Sequence, residues 1–308
     1  MLQTDTKYLK SCLNYTGGKH KLLKQIVPLF PEEINNFVDL FCGGANVAIN
    51  VSAKGNMLGI DKQREVLRLF NTLKNTSKED VFNIISNIIL KYELTDTQKN
   101  GYSHYGCESG NGLAFYNKER FLKLREDYNC RTSDNTYYDL LFYLLTVYGF
   151  NNQIRFNKKG HYNIPVGKRD FNDKIQSNLN KFIEVIKDKD IDFVCDDFRQ
   201  VEIELLRGDF LYADPPYLIS TATYNEQNGW TETEEYDLLN LLDKLDSQGV
   251  KFALSNVLEH KGKENTILIN WAKNYEINYL DYNYNNSNYQ IKEKTTKTSE
   301  VLITNYKK

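Results

Sequence analysis

The 308-residue chain is poor in proline (five), tryptophan (two), histidine (four) and cysteine (five), and neither charge dominates: 39 Lys and Arg stand against 41 Asp and Glu. A formal charge of -2 sets up no overall field for a polyanion, so any nucleic-acid surface has to be local. Cys12, Cys42, Cys107, Cys130 and Cys195 form no C-x-x-C pair, and the histidines lack ligand spacing. Structural zinc is therefore disfavoured, and reduced thiols are expected. No apolar run approaches the roughly 18 residues needed to span a bilayer. Asp5, Lys7 and Lys10 interrupt the N-terminal segment, which has no apolar signal-peptide core. These absences predict a soluble, unexported, cytoplasmic chain without metal or membrane partner. It is long enough to bury a sizeable core as one large or two modest domains.

An apolar run at Asn36–Phe41 leads into Cys42-Gly43-Gly44, and a second at Asn56–Asp61 ends in a carboxylate. With helices expected over 19–29, over Ala45–Ala53 and through Arg64, Leu67 and Leu73, this reads as a β-α-β unit. From about 64 to 172 the pattern turns helical, notably at Lys118–Tyr128 and Tyr137–Tyr148. Residues 152–168, alternating around Lys158-Lys159-Gly160, read as a basic β-hairpin carrying Arg155, Lys158, Lys159, Lys168 and Arg169. Strands are predicted again at Asp192–Cys195, Asp209–Ala213, Lys251–Ser255 and Glu300–Tyr306, with a helix over Glu234–Leu245. The fold class is α/β: one doubly wound sheet interrupted by a helical insertion that carries the hairpin.

Two of the five prolines are adjacent, in Asp214-Pro215-Pro216-Tyr217 at the end of the Asp209–Ala213 strand. Consecutive prolines fix φ and donate no N–H, so the Asp214 carboxylate and the Pro215 carbonyl can be held as two acceptors facing one site. An exocyclic amino group of a nucleobase suits them, because it offers two N–H donors. Bonding both draws its nitrogen toward tetrahedral geometry and aims the lone pair at a methyl donor. Tyr217 would stack on a base drawn out of the duplex. The rival is an ordinary strand-end turn.

At Gly43-Gly44 the absence of side chains lets a ligand approach the backbone, and Asp61, about twenty residues after Asp39, can accept two ribose hydroxyls. A dinucleotide-binding fold gives the same signal. Tyr15-Thr16-Gly17-Gly18-Lys19 would present Lys19 to a cofactor carboxylate; its spacing does not fit a phosphate-binding loop. Asp197-Phe198 is either an adenine-ring contact or core. In the hairpin, Arg155 is placed to read a guanine and Lys158 and Lys159 to contact phosphates, against the alternative of a solvated turn.

Taken in order, the Tyr15–Lys19 turn, Asp39–Gly44, Asp61, the Arg155 hairpin, Asp214–Tyr217 and Leu254-Ser255-Asn256 resemble the Dam family of DNA adenine-N6 methyltransferases (D12 class). The phage-type members are most similar, through Leu238–Asp243 and Ser255–His260. The resemblance implies a Rossmann-like methyltransferase sheet and transfer of a methyl group from S-adenosylmethionine to a flipped adenine, within GATC, in double-stranded DNA. It implies a catalytic domain over 1–63 and 173–308 and an inserted target-recognition domain over 64–172. Catalytic roles fall to Asp214, Pro215, Pro216 and Tyr217. Cofactor contacts fall to Tyr15, Gly17, Gly18, Lys19, Asp39, Phe41, Gly43, Gly44, Asp61, Phe198, Asp214 and Tyr224. DNA contacts fall to Asn151, Asn152, Gln153, Arg155, Asn157, Lys158, Lys159, Pro165 and Lys168. Gln153 and Asn14 depart from the residues that family members place there. The source would be bacterial or phage, and a restriction endonuclease partner stays open, as does the choice between monomer and dimer. So do two alternatives: cytosine-N4 methylation, and a catalytically silent DNA-binding protein of the same fold.

Overall fold

The structure, a computed structural model, describes residues 8–107, 112–201, 203–219, 229–281 and 298–308. Its strands are β1 (Phe37–Asp39), β2 (Met57–Asp61), β3 (Ile191–Cys195), β4 (Phe210–Ala213), β5 (Lys251–His260), β6 (Lys263–Glu264), β7 (Glu276–Leu280) and β8 (Thr298–Thr304). The chain divides into two compact units. The first is built chiefly from Lys19–Lys62 and Asp196–Lys308, the second from Leu9–Gly18 and Gln63–Cys195. Among the described residues no helix is long and apolar enough to cross a membrane.

The first unit is a mixed α/β sheet whose strands run in the order β2-β1-β4-β5-β8-β7, with β6 beside β5. β1 pairs in parallel with β2 and β4, and β4 with β5; β8 runs antiparallel to β5 and β7. The chain leaves β1 toward β2 on one side and returns as β4 on the other. The β1/β4 junction is therefore a topological switch point, where the carboxyl ends of parallel strands open a crevice. Asp39 ends β1 opposite Tyr212, and Asp214 follows the last residue of β4.

Side-chain alternation sorts the sheet into two faces. Val38, Leu211, Ala213, Phe252, Leu254, Val301 and Ile303 join the core beneath the helix Glu232–Ser247, which contributes Leu238, Leu239, Leu242 and Leu245. The opposite phase carries Phe37, Phe210 and Tyr212, packed with Phe30, whose ring lies 4.8 Å from that of Phe210. Asp39, Asp214 and Glu300 share this second phase, which puts three acids over one face of the strand ends.

Two helix predictions for this unit resolve into shorter turns. Residues 19–29 form a 3-10 turn (Lys19–Leu22), one α turn (Leu23–Ile26) and a second 3-10 turn (Val27–Leu29) containing Pro28. Proline supplies no helical N–H there. Ala45–Ala53 holds only the 3-10 turn Ala48–Asn50, because Ala45 takes φ 57° as its N–H closes a turn onto Cys42. Strand β7, which sequence periodicity does not reveal, completes the antiparallel edge.

The second unit packs the helices Arg64–Asn75, Lys78–Lys91, Ala114–Asn129, Thr136–Tyr148 and Asp173–Asp188 with strand β3. Phe70 packs 5.0 Å from both Phe182 and Phe193 in tilted contacts, so the aromatic core ties residues 173–195 into this compact unit, which runs to Cys195. Helix Thr136–Tyr148 is buried from Asp139 to Tyr148. Asp139 is tolerated there because Arg68 (2.9 Å) and the Thr72 hydroxyl (2.7 Å) satisfy it.

Residues 152–168 fold back antiparallel as expected but make no continuous ladder. Phe156 bridges Tyr162, and Val166 bridges Gly149. The bonds beside the Phe156 bridge run from Asn157 N–H to His161 O (2.9 Å) and from Asn163 N–H to Arg155 O (3.1 Å), and the Asn129 side chain holds the outward backbone groups of Tyr162, donating to its carbonyl (3.1 Å) and accepting from its N–H (2.9 Å).

Candidate active site

The switch point of the first unit gathers one ammonium and two carboxylates below a tyrosine. Lys19 Nζ lies 2.8 Å from Asp214 Oδ1 and 3.6 Å from Glu300 Oε1. It donates to the Tyr217 hydroxyl at 2.6 Å and sits 5.0 Å from that ring's centroid. The Tyr217 hydroxyl has one proton to give and two acceptors in reach, Asp214 Oδ1 at 3.3 Å and Glu300 Oε1 at 3.4 Å. Lys19 is 7 % exposed, Asp214 17 % and Glu300 3 %, so bulk water screens these charges little.

Burial raises the Asp214 carboxyl above the usual carboxylate range, and Glu300 adds to this, while the Lys19 contact pulls the other way. For Lys19, burial opposes the charge, but Asp214, Tyr212 and Glu300 outweigh it and hold the ammonium firmly protonated. Asp214 is thus a partly buried hydrogen-bond acceptor whose charged form the Lys19 ammonium favours and burial opposes. Pro215 and Pro216 follow it, the first buried and the second exposed. The Lys19 ammonium, expected to face a cofactor carboxylate, is here on Asp214.

Next to this cluster, Cys42 N–H donates to Ile60 O, extending the β1/β2 pairing by a step, and Gly43 then turns with φ 47°. That left-handed turn aims Gly43 N–H at Asp61 Oδ2, 2.8 Å away. Gly44 is buried in the same turn. Asp39 is 1 % exposed, and its Oδ1 has no hydrogen-bond partner. Burial, then Asp214, drives its carboxyl well above the usual range; an N–H bond from Ala48 opposes the rise and Asp61 adds to it. An unpartnered buried acceptor at a switch point calls for a donor or cation from outside the chain.

Phe41 is half-buried against Phe198 (5.3 Å) and Trp230 (5.5 Å). Trp230 is a site residue that sequence reasoning missed, although one of only two tryptophans is a usable signal. Its Nε1–H donates to buried Glu235, which Asn265 also holds. Asp197 is committed elsewhere: Arg199 and then Lys62, each at 2.7 Å, hold it well below the ordinary carboxylate range. Tyr224 lies outside the described residues.

The remaining predicted residues belong to the second unit. Gly18 N–H donates to Tyr15 O, and Gly17 between them takes φ 81°. Asn151 and Asn152 both adopt φ 53°, and Asn152 Nδ2 donates to the carbonyls of Thr146 and Val147 at the end of helix Thr136–Tyr148. Asn14 donates to Asn151 O. Arg155 is exposed, with Nε on the Asn163 side chain at 2.7 Å. Asn157 Oδ1 accepts the N–H groups of Lys159 and His161, shaping the turn. Gln153, Lys158, Lys159, Pro165 and Lys168 are exposed.

A family model, described as D12 class N6 adenine-specific DNA methyltransferase, matches residues 15–299. The chain is similar to the type II methyltransferase M.FokI of Planomicrobium okeanokoites, 42% identical over 97% of this chain and 43% of that protein. It is 40% identical to the modification methylase StsI of Streptococcus sanguinis over 97% of this chain and 43% of that protein. A DNA adenine methylase of Vibrio cholerae is 25% identical over 81% of this chain and 82% of its own length. The chain spans less than half the length of the first two relatives.

Because Asp39 titrates higher in the folded than in the unfolded chain, its ionisation opposes folding above the raised value. The penalty vanishes below the ordinary carboxylate range. Asp39→Asn is therefore expected to melt higher than the wild type at pH 8, by about 2–4 °C for each kcal/mol relieved, with the gap closing as pH falls to about 4. An equal or lower midpoint at pH 8 would contradict this origin of the strain.

Proposed function

Since the chain belongs to the D12 class of N6 adenine-specific DNA methyltransferases, we propose that it methylates the N6 amino nitrogen of an adenine in double-stranded DNA, with S-adenosylmethionine as donor. The observation that carries this reading is the partly buried Asp214 acceptor, held by Lys19 at 2.8 Å directly before Pro215-Pro216. S-adenosylmethionine supplies, when bound, a sulfonium methyl carbon open to attack. The donor set fits a cationic ligand: Asp39 offers an unpartnered buried oxygen, and Phe41 presents a half-buried ring. In this reading Asp39, Phe41, Gly43, Gly44, Asp61 and Phe198 hold the donor, with Lys19 and Asp214 beside them; roles for Tyr15, Gly17, Gly18 and Tyr224 rest on the family resemblance alone.

The chain's own part in the chemistry is orientation rather than strong base catalysis. Asp214 and the Pro215 carbonyl accept the two amino hydrogens, and Tyr217 stacks on the base. The amino nitrogen's lone pair then lies in line with the methyl carbon. With S-adenosylmethionine bound, the nitrogen so oriented would bond to the methyl carbon as the carbon–sulfur pair left with sulfur. The surplus amino proton is shed toward solvent. A cytosine N4 amino group offers the same two hydrogens, but the match to an adenine-specific family and an Asp at the head of the tetrapeptide favour adenine. Gly43, Gly44, Asp61 and Asp214 are all present, against the silent-protein alternative.

The second unit is proposed as the target-recognition domain. Lys158, Lys159 and Lys168 supply phosphate contacts, and Arg155 reads a base, flanked by Asn151, Asn152, Gln153, Asn157 and Pro165. Support for GATC is limited to the Dam likeness and a 25% identical DNA adenine methylase; the relatives at 42% and 40% are named as a type II methyltransferase and a modification methylase. Those names support a role beside a restriction endonuclease.

Asp214→Ala is expected to abolish methyl transfer to duplex DNA while DNA affinity, read by fluorescence anisotropy, changes only a few-fold. Unchanged turnover would remove the assignment. Arg155→Ala is expected to relax sequence preference in methylated-DNA sequencing more than it weakens general affinity. A uniform loss across all sequences would make Arg155 a phosphate contact instead.

A further inference from the structure

Glu300 was not singled out by its sequence, yet it is one of the most enclosed acids in the molecule, at 3 % exposure. Strand β8 brings it there. Glu300 pairs with Val257 of β5, and Leu302 with Ser255, so both project on the face where the Ser255 hydroxyl meets the Tyr212 hydroxyl at 2.8 Å. That alternation leaves the Glu300 carboxylate beside the loop that follows β4, in reach of Lys19 and Tyr217.

The proposed transfer needs Asp214 as a strong acceptor, and the observed contacts draw on its charge. Lys19 lies on its Oδ1 at 2.8 Å and the Tyr217 hydroxyl approaches the same oxygen at 3.3 Å, and a cation so close weakens the carboxylate as an acceptor for an amino hydrogen. Releasing Asp214 with no second acid nearby would strand a buried ammonium, which is strongly disfavoured. Glu300 is 3.6 Å from the same Nζ and 3.4 Å from the same hydroxyl. A displacement of about an ångström, within the ordinary reach of a lysine stem, moves the ammonium from one carboxylate to the other. Tyr217 follows by turning its single hydroxyl proton. Both end states keep the cation paired.

We propose that Glu300 is a positioning residue for methyl transfer: it takes over the Lys19 ammonium, so that Asp214, relieved of the cation, accepts one hydrogen of the substrate amino group more strongly. This rests on the adenine-methylation reading and adds to it the residue that frees the acceptor. The cluster then works as an exchange of one cation between two carboxylates, the closed form in place before the base arrives and the open form in place with it. A purely structural Glu300 would serve as a fixed partner of Lys19 and would have no coupling to Asp214.

The two roles separate on rate, pH and coupling. The groups facing Asp214 are Lys19 from the 19–29 segment, Tyr212 on β4, Tyr217 after it, Asp39 on β1 and Glu300 on β8. Glu300 raises the Asp214 pKa through its charge, so neutralising it shifts the acid limb of the single-turnover rate to lower pH. The test uses the full chain, duplex DNA and labelled S-adenosylmethionine, with Glu300→Gln, Glu300→Asp, Lys19→Gln and the Lys19→Gln/Glu300→Gln pair.

Glu300→Gln is expected to slow single-turnover transfer about tenfold or more, with KM for DNA nearly unchanged and the acid limb moved down. In the Lys19→Gln background the same change is expected to have no further effect, because the cation it manages is gone. Wild-type transfer by Glu300→Gln, an unmoved acid limb, or equal losses in both backgrounds would overturn the proposal and leave the adenine reading standing. A wild-type chain that methylates no DNA would overturn both. Should Glu300→Gln not fold, Glu300→Asp decides: a shorter carboxylate keeps the charge but not the reach, so a slowed rate with an unmoved acid limb is expected, and a wild-type rate would overturn the proposal.

Discussion

The parallel pairing of β4 with β1 is the constraint on which the rest of the site depends. It registers Asp39 opposite Tyr212 and delivers Asp214 one residue past the strand end, so two carboxylates meet over the same face at the point where the chain reverses its winding. Strands deliver their ends with less freedom than loops, and Asp209 fixes where this one starts. Its carboxylate accepts the backbone and side-chain N–H groups of Asn36 at the head of β1, at 3.0 and 2.9 Å, and the Leu206 N–H at 2.8 Å. Position at the working end is thus inherited from hydrogen bonds made at the opposite end of the same two strands.

Concentrating acids in a buried place has a cost. Asp39, Asp214 and Glu300 are held near each other, and Lys19 offsets only part of their repulsion. A chain selected for stability alone would be expected to pack apolar side chains here, since removing buried charges is often neutral or favourable. Retaining them makes sense where an incoming ligand brings positive charge and hydrogen-bond donors. The unpartnered Asp39 oxygen and the over-subscribed Tyr217 proton are two signs of the same shortage of donors. In that sense the proposed cofactor and base complete a network that the chain leaves short.

Legibility from sequence followed the range of the interactions. Apolar runs bounded by glycines and carboxylates revealed β1, β2 and β4, and the paired prolines marked Asp214, because those signals are written in consecutive residues. Ala45–Ala53 was misread as helix, since the turn at Gly43 and Ala45 depends on bonds to Cys42 and Asp61 rather than on propensity. The surroundings of the hairpin are equally non-local: Asn129, distant in sequence, holds the outward backbone groups of Tyr162. Trp230 and Glu300 had no local motif at all. Glu300 reaches Lys19 only through the antiparallel register of β8, which no periodicity in Thr298–Thr304 discloses.

The most direct measurement of the central claim is the identity of the nucleoside that receives the methyl group. The full chain would be incubated with duplex DNA and isotopically labelled S-adenosylmethionine, and the DNA then digested to nucleosides and resolved by mass spectrometry. The label should appear in N6-methyl-2′-deoxyadenosine. Label in N4-methyl-2′-deoxycytidine, or none in DNA under conditions where the chain is folded and binds duplex, would contradict the account.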